Sequence, residues 1–190
     1  MKVIFLDHDG VICLQDNWGS RYKKQDKWGG RKLSMTPLEM PLEYRFDNFD
    51  KKAVKVLNEI LEETGAEIVV SSDWKNWATV EEMGEYYESQ GIIKKPIAFT
   101  EAKLLETYED FPWNRFLELE QTRSLEIAEY LTTFKSILKW VVIDDLNMSL
   151  RRTEDGEYSW GLNNFVHTTR SNEGIKQSGV KEKVIKFLND

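Results

Sequence analysis

Val3-Ile4-Phe5-Leu6-Asp7-His8-Asp9-Gly10 is the stretch that decides the fold. Four apolar residues of strand type run straight into two carboxylates one residue apart, then a glycine. In extended backbone, alternate side chains point the same way, so Asp7 and Asp9 can share one side as the strand frays into a loop. Two close carboxylates repel each other and raise at least one pKa unless a cation sits between them. That cost suits a magnesium site at which one carboxylate attacks and the other moves a proton. Taken alone, Asp-X-Asp-Gly is also ordinary turn chemistry. A calcium loop of the EF-hand type fits poorly, because a strand precedes the motif and Trp18 stands where the twelfth-position glutamate belongs.

Two further segments repeat the arrangement. Lys139-Trp140-Val141-Val142-Ile143 ends in Asp144-Asp145, and Glu67-Ile68-Val69-Val70 ends in Ser71-Ser72-Asp73. Apolar strands whose C-terminal ends carry acid, hydroxyl and acid are what a crevice at the carboxyl edge of an open parallel sheet requires. The spaces between them read as helices. Asp50 caps a helix with Ala53, Val54, Leu57, Ile60 and Leu61 inward and Gly65 at its end. A second helix is expected over 77–90, a short strand over 97–99, and a third helix over 122–134 with Leu125, Ala128 and Leu131 inward. Asp155-Gly156 suggests a hairpin turn, 164–168 a last strand, and Val180, Val184, Phe187 and Leu188 the inner face of a closing helix. Strands alternating with helices predict an α/β fold with a doubly wound parallel sheet.

The order of these elements resembles the haloacid dehalogenase (HAD) superfamily. It runs from Asp-X-Asp-Gly to a strand ending in Ser, then a basic residue opening a helix, then a strand ending in Asp-Asp. In finer pattern, residues 4–12, 49–75 and 122–127 look like the branch found as a domain in multifunctional RNA-repair proteins. The resemblance implies a HAD-like Rossmannoid sheet, one domain over 1–190, and a cap-like insertion over 13–46. It implies a Mg2+-dependent phosphomonoester hydrolase working through an aspartyl-phosphate on Asp7, with Asp9 as general acid and base. Asp7, Asp9 (through its backbone carbonyl), Asp144 and Asp145 would surround the metal. Ser71 or Ser72 would bind a phosphate oxygen beside Gly10. Arg123, at the start of its helix, matches the family's basic position, with Lys75 and Lys103 as rivals.

The insertion bears on the substrate. Residues 21–32 hold six basic residues and one acid, with Trp18, Tyr22 and Trp28 interleaved. Aromatics among cations suit single-stranded nucleic acid, by stacking and phosphate pairing, so Arg21, Lys24 and Trp28 are candidate contacts. A solvated charged loop has the same composition. The expected substrates are RNA or DNA ends carrying a 5′- or 3′-phosphate, or nucleotides, with association with kinase or ligase repair activities. A small-metabolite phosphatase and a non-catalytic module that grips nucleic-acid ends are the alternatives.

Whole-chain properties set the bounds. The chain has 190 residues, 41% hydrophobic and 31% charged, an ordinary globular mixture. A net charge of −7 argues against a protein that coats itself in nucleic acid. No apolar run approaches the ~20 residues of a membrane span. Asp7 and Asp9 interrupt what would be a leader's apolar section, and Cys13 is the sole cysteine, so a reducing cytoplasm is expected. Cys13 reads as buried filler, His8 as packing turned away from the acids, and His167 as structural.

Overall fold

The computed structural model describes residues 1–30, 35–101, 115–149 and 161–190, with side chains of 115–118 left aside. The expected hairpin turn at Asp155-Gly156 and the rival cation Lys103 lie outside the described residues.

Five parallel strands form one sheet in the order β3-β2-β1-β4-β5. They are β1 (Lys2–Leu6), β2 (Glu67–Val70), β3 (Pro96–Phe99), β4 (Lys139–Asp144) and β5 (Phe165–His167). The strand order reverses beside β1, between the run to β3 and the run to β5. In an open parallel sheet that switch point leaves a crevice at the carboxyl ends of the strands.

The apolar runs are continuous because both faces of the sheet are covered. Ile4, Leu6, Ile68, Val70, Val141 and Ile143 face one core, closed by α3 (Lys51–Thr64), α4 (Val80–Ser89) and α6 (Val180–Asn189). Val3, Phe5, Val69 and Val142 face the other, against Ile127 and Tyr130 of α5 (Arg115–Thr133). Each buried side chain of this size is worth roughly 1.5–3 kcal/mol relative to exposure. Asp50 caps α3 through the backbone N–H groups of Lys52 and Ala53, and Gly65 ends it at φ 67°, both as expected.

Two helices depart from their expected bounds. α4 begins at Val80, because Thr79 and Glu82 form a capping box and residues 73–77 make a 3-10 turn first. α5 begins at Arg115, so Arg123 lies well inside the helix and not at its start. Of its expected inner face, Leu131 packs on the second core but Leu125 does not. Leu125 is exposed, while Arg123, Ser124, Glu126, Ile127 and Tyr130 are buried. Hydrophobic periodicity misplaces this face because half of it is polar and serves the carboxyl edge of the sheet.

Residues 13–46 show no clean period in sequence, yet they contain α1 (Ser20–Gly29) and the short α2 (Leu42–Arg45). Low apolar content hides α1. Its contact with the rest of the chain is made by Lys24, whose Nζ donates to Phe46 O and Asn48 Oδ1, and by Gln25, whose Nε2 donates to Tyr44 O.

Candidate active site

Each strand ends by passing into one buried polar residue, and the ladder continues through it. Asp7 N donates to Ile143 O, Ser71 N to Leu6 O, Thr100 N to Val70 O, and Thr168 N to Asp144 O, at 2.9–3.0 Å. Thr100, Ser71, Asp7, Asp144 and Thr168 therefore form a row across the carboxyl edge, held in sheet register and buried. Rigid backbone places these side chains, so little conformational entropy remains to be lost when a ligand engages them.

Asp7, Asp144 and Asp145 each offer a carboxylate oxygen, all within 4.8 Å of one another. Burial first, and then Asp144, hold the Asp7 carboxyl well above the usual carboxylate range against the pull of Arg123. Burial and Asp144 likewise push Asp145 up to about 6. Gly10 makes the close approach possible. At φ 68° it is in the left-handed region, and a Cβ there would stand 2.8 Å from Asp145 Cβ and Cγ.

Among the described residues, Arg123 is the cation at this cluster. Its Nη1 lies 3.2 Å from Asp7 Oδ1 and 3.0 Å from Asp144 Oδ2, and its Nη2 lies 3.2 Å from the exposed Asp73. Burial opposes its charge, but Asp144, Asp7 and Asp73 hold the guanidinium protonated. The rival Lys75 is engaged elsewhere, by Glu126 and by Thr100 Oγ1. Three carboxylates against one guanidinium leave a charge of about −2 in a buried setting, which a divalent cation with oxygen preference matches. The donor set thus fits Mg2+, with Asp7, Asp144 and Asp145 around it.

Asp9 turns its side chain away from this trio. Its Oδ2 accepts from Trp74 Nε1 at 2.8 Å, and it is hydrogen-bonded to the Cys13 thiol. Burial raises its pKa, opposed by these two hydrogen bonds. Such an environment favours a carboxyl that carries a proton when needed. His8 O accepts from the N–H groups of Val11, Ile12 and Cys13, which folds the chain back and brings Cys13 to Asp9. The sole cysteine is buried, as expected, but it also touches the site.

The two serines differ in their partners. Ser72 Oγ accepts from Trp74 N and caps the 3-10 turn, whereas Ser71 Oγ is fully buried with no hydrogen-bond partner among the described residues. An orphaned buried hydroxyl beside Asp7 is a place for a ligand oxygen. His8 sits among Phe49, Trp74 and Tyr87, its Nε2 2.6 Å from Tyr87 Oη, and faces away from the acids. His167 Nε2 lies 2.8 Å from Asp145 O and braces the loop that carries Asp145.

The insertion's candidates separate. Arg21 lines a cavity shared with Asp9, while Trp28 is stacked on Tyr44 at 4.8 Å and Lys24 is tied to Phe46 and Asn48. Trp74, Thr100, Asp47 and the site role of Cys13 were not legible beforehand. Only Trp74 carried a signal, standing two residues after Ser72 at the strand end.

The family model described as the HAD domain in Swiss Army Knife RNA repair proteins matches residues 3–180. No curated protein and no solved structure matches the chain. Among the described residues, no helix is long and apolar enough to cross a membrane.

Proposed function

Because this chain belongs to the HAD domains of Swiss Army Knife RNA repair proteins, a phosphatase group, we propose that it removes terminal phosphates from nucleic-acid ends or nucleotides. The observation that carries this reading is the trio of buried Asp7 and Asp144 and half-buried Asp145 within 4.8 Å, beside a Ser71 hydroxyl without a partner among the described residues. When bound, Mg2+ supplies neutralisation of the negative charge on the phosphate oxygens.

The chain's own groups do the rest. An Asp7 carboxylate oxygen forms a bond to phosphorus as the bond to the leaving oxygen breaks. Asp9 gives that oxygen its proton. In the second half, Asp9 takes a proton from water, which attacks phosphorus and breaks the bond to Asp7, releasing phosphate. Ser71 donates to a phosphate oxygen, with Gly10 keeping the neighbouring space narrow. Arg123 holds Asp7 and Asp144 apart and in line. Residues 13–46 act as a cap over the Asp9 side of the site, in a single domain spanning 1–190. The family's description favours RNA ends, prepared for kinase or ligase partners.

The test is hydrolysis of 5′- and 3′-phosphorylated oligonucleotides, mononucleotides, small sugar phosphates and an aryl phosphate, with Mg2+ and with EDTA. Metal-dependent release of phosphate, lost in Asp7→Asn, is expected. Activity on none of them, or full activity in Asp7→Asn, overturns the reading. Preference for sugar phosphates points to a small-metabolite enzyme, and binding without turnover to an end-gripping module.

A further inference from the structure

A general acid must touch the oxygen it protonates, so the body of the leaving group has to occupy space directly beside Asp9. That space is a cavity of about 270 Å³ walled by Asp9, Trp18, Gly19, Arg21 and Asp47. We propose that this cavity is a slot for one nucleoside, the leaving group, with its base stacked on Trp18. The inference rests on the phosphatase reading above and adds what the site selects.

Three observations support it. Trp18 is 47% exposed although its Nε1 donates to Cys13 O at 3.2 Å, so the indole is tethered while much of the residue meets solvent. An exposed, tethered aromatic is a stacking platform that works for any base. Second, the slot is small: at about 270 Å³ it lies just under the ~300 Å³ at which small-molecule sites begin, a size suited to one nucleoside. Third, the charges select a neutral occupant. Asp47 Oδ1 accepts from Arg21 N at 2.7 Å and Ser20 Oγ at 3.3 Å, fixing the first turn of α1 against the cavity. With Asp9 protonated as the acid, the Asp47 carboxylate balances the Arg21 guanidinium, so the slot carries no net charge to attract a second phosphate, while sugar hydroxyls can donate to Asp47.

On this reading the insertion meets the terminal unit through Trp18. Trp28 and Lys24 are occupied by Tyr44, Phe46 and Asn48 and take no part.

The test measures kcat/KM for 5′- and 3′-adenosine monophosphate relative to glycerol 2-phosphate, in wild type, Trp18→Leu and Trp18→Phe. Trp18→Leu is expected to lower the nucleotide-to-glycerol ratio about 5- to 100-fold, the range set by loss of one base stack, and Trp18→Phe to keep most of it. Unphosphorylated adenosine should inhibit glycerol 2-phosphate hydrolysis by wild type competitively, a readout independent of how the variants fold. A ratio unchanged in Trp18→Leu, or no inhibition by adenosine, overturns the slot while leaving the phosphatase intact. An oligonucleotide preferred more than tenfold over the mononucleotide with the same end also overturns it. Failure of wild type on every phosphomonoester removes the phosphatase reading itself.

Discussion

Trp74 Nε1 donates to Asp9 Oδ2 at 2.8 Å, and the indole that does so is clamped between two phenyl rings. Phe46 stacks on it at 4.8 Å and 10°, and Phe49 at 5.3 Å and 17°. Such pairs contribute about 0.5–1.5 kcal/mol each beyond burial. Oδ2 of Asp9 is thereby held in place. Trp74 is a positioning residue for the acid.

Trp74→Phe keeps an aromatic ring in the stack and removes only the donor. Turnover of alkyl phosphates, whose leaving oxygen needs a proton, should fall about tenfold or more. An aryl phosphate with an acidic leaving group should suffer much less, and Asp9→Asn should show the same contrast on the scale of ~10²–10⁴. Equal losses on both substrates would mean that Trp74 acts through packing alone.

Gly10 to Ala forces a side chain into the space held by Asp145 and into a left-handed conformation costing about 1–2 kcal/mol. The expected result is a protein that still folds, with a lower urea midpoint and a much higher Mg2+ requirement for activity. Titration of activity with Mg2+ reads this directly. An unaltered requirement would show that Asp145 is not displaced.

Mg2+ should raise the melting temperature, since it binds the folded carboxylates and not the unfolded chain. Protons compete for the same oxygens. Asp145, pushed up to about 6, is largely protonated at pH 5 and ionised at pH 7.5. The Mg2+-induced shift should therefore grow as pH rises through 6 and then level off, and it should shrink sharply in Asp145→Asn. Calorimetry with and without EDTA at the two pH values checks both statements.

His8 sets an acid limit on stability. Burial, and then Arg123, lower its pKa from 6.5 to about 3. The unfolded chain thus binds a proton below pH 6.5 that the folded chain refuses. Stability from this group is complete above pH 6.5 and falls at ~1.4 kcal/mol per pH unit as pH drops toward 3. The raised carboxylates work in the opposite direction, so the comparison must be with His8→Gln in EDTA, where they are unchanged. Urea midpoints from pH 7.5 to 4.5 should fall more steeply in wild type. Parallel lines would dismiss His8 as the titrating group.

Much of the site was visible in the chain itself. Asp7, Ser71, Asp144 and Asp145 stand at the ends of apolar runs, and a parallel sheet brings such ends to one edge. The polar lining of α5 was not visible, because the buried Arg123 and Glu126 flank Leu125, which periodicity expects inside and which is exposed. In the insertion, composition named Arg21, Lys24 and Trp28 as candidate contacts, and it could not show that Lys24 binds Phe46 and Asn48 or that Trp28 stacks on Tyr44.

The division has a physical basis. Local order in sequence determines which residue follows each strand and which side it faces, since backbone geometry repeats every two residues. It therefore determined the sheet, the acidic cluster and its place at the carboxyl edge. Only tertiary structure decided that Arg123 and not Lys75 neutralises Asp7, that Trp74 and Cys13 hold Asp9, and that Trp18 faces the same cavity. Those outcomes depend on competition for partners among groups far apart in the chain, and burial, not spacing, chooses the winner.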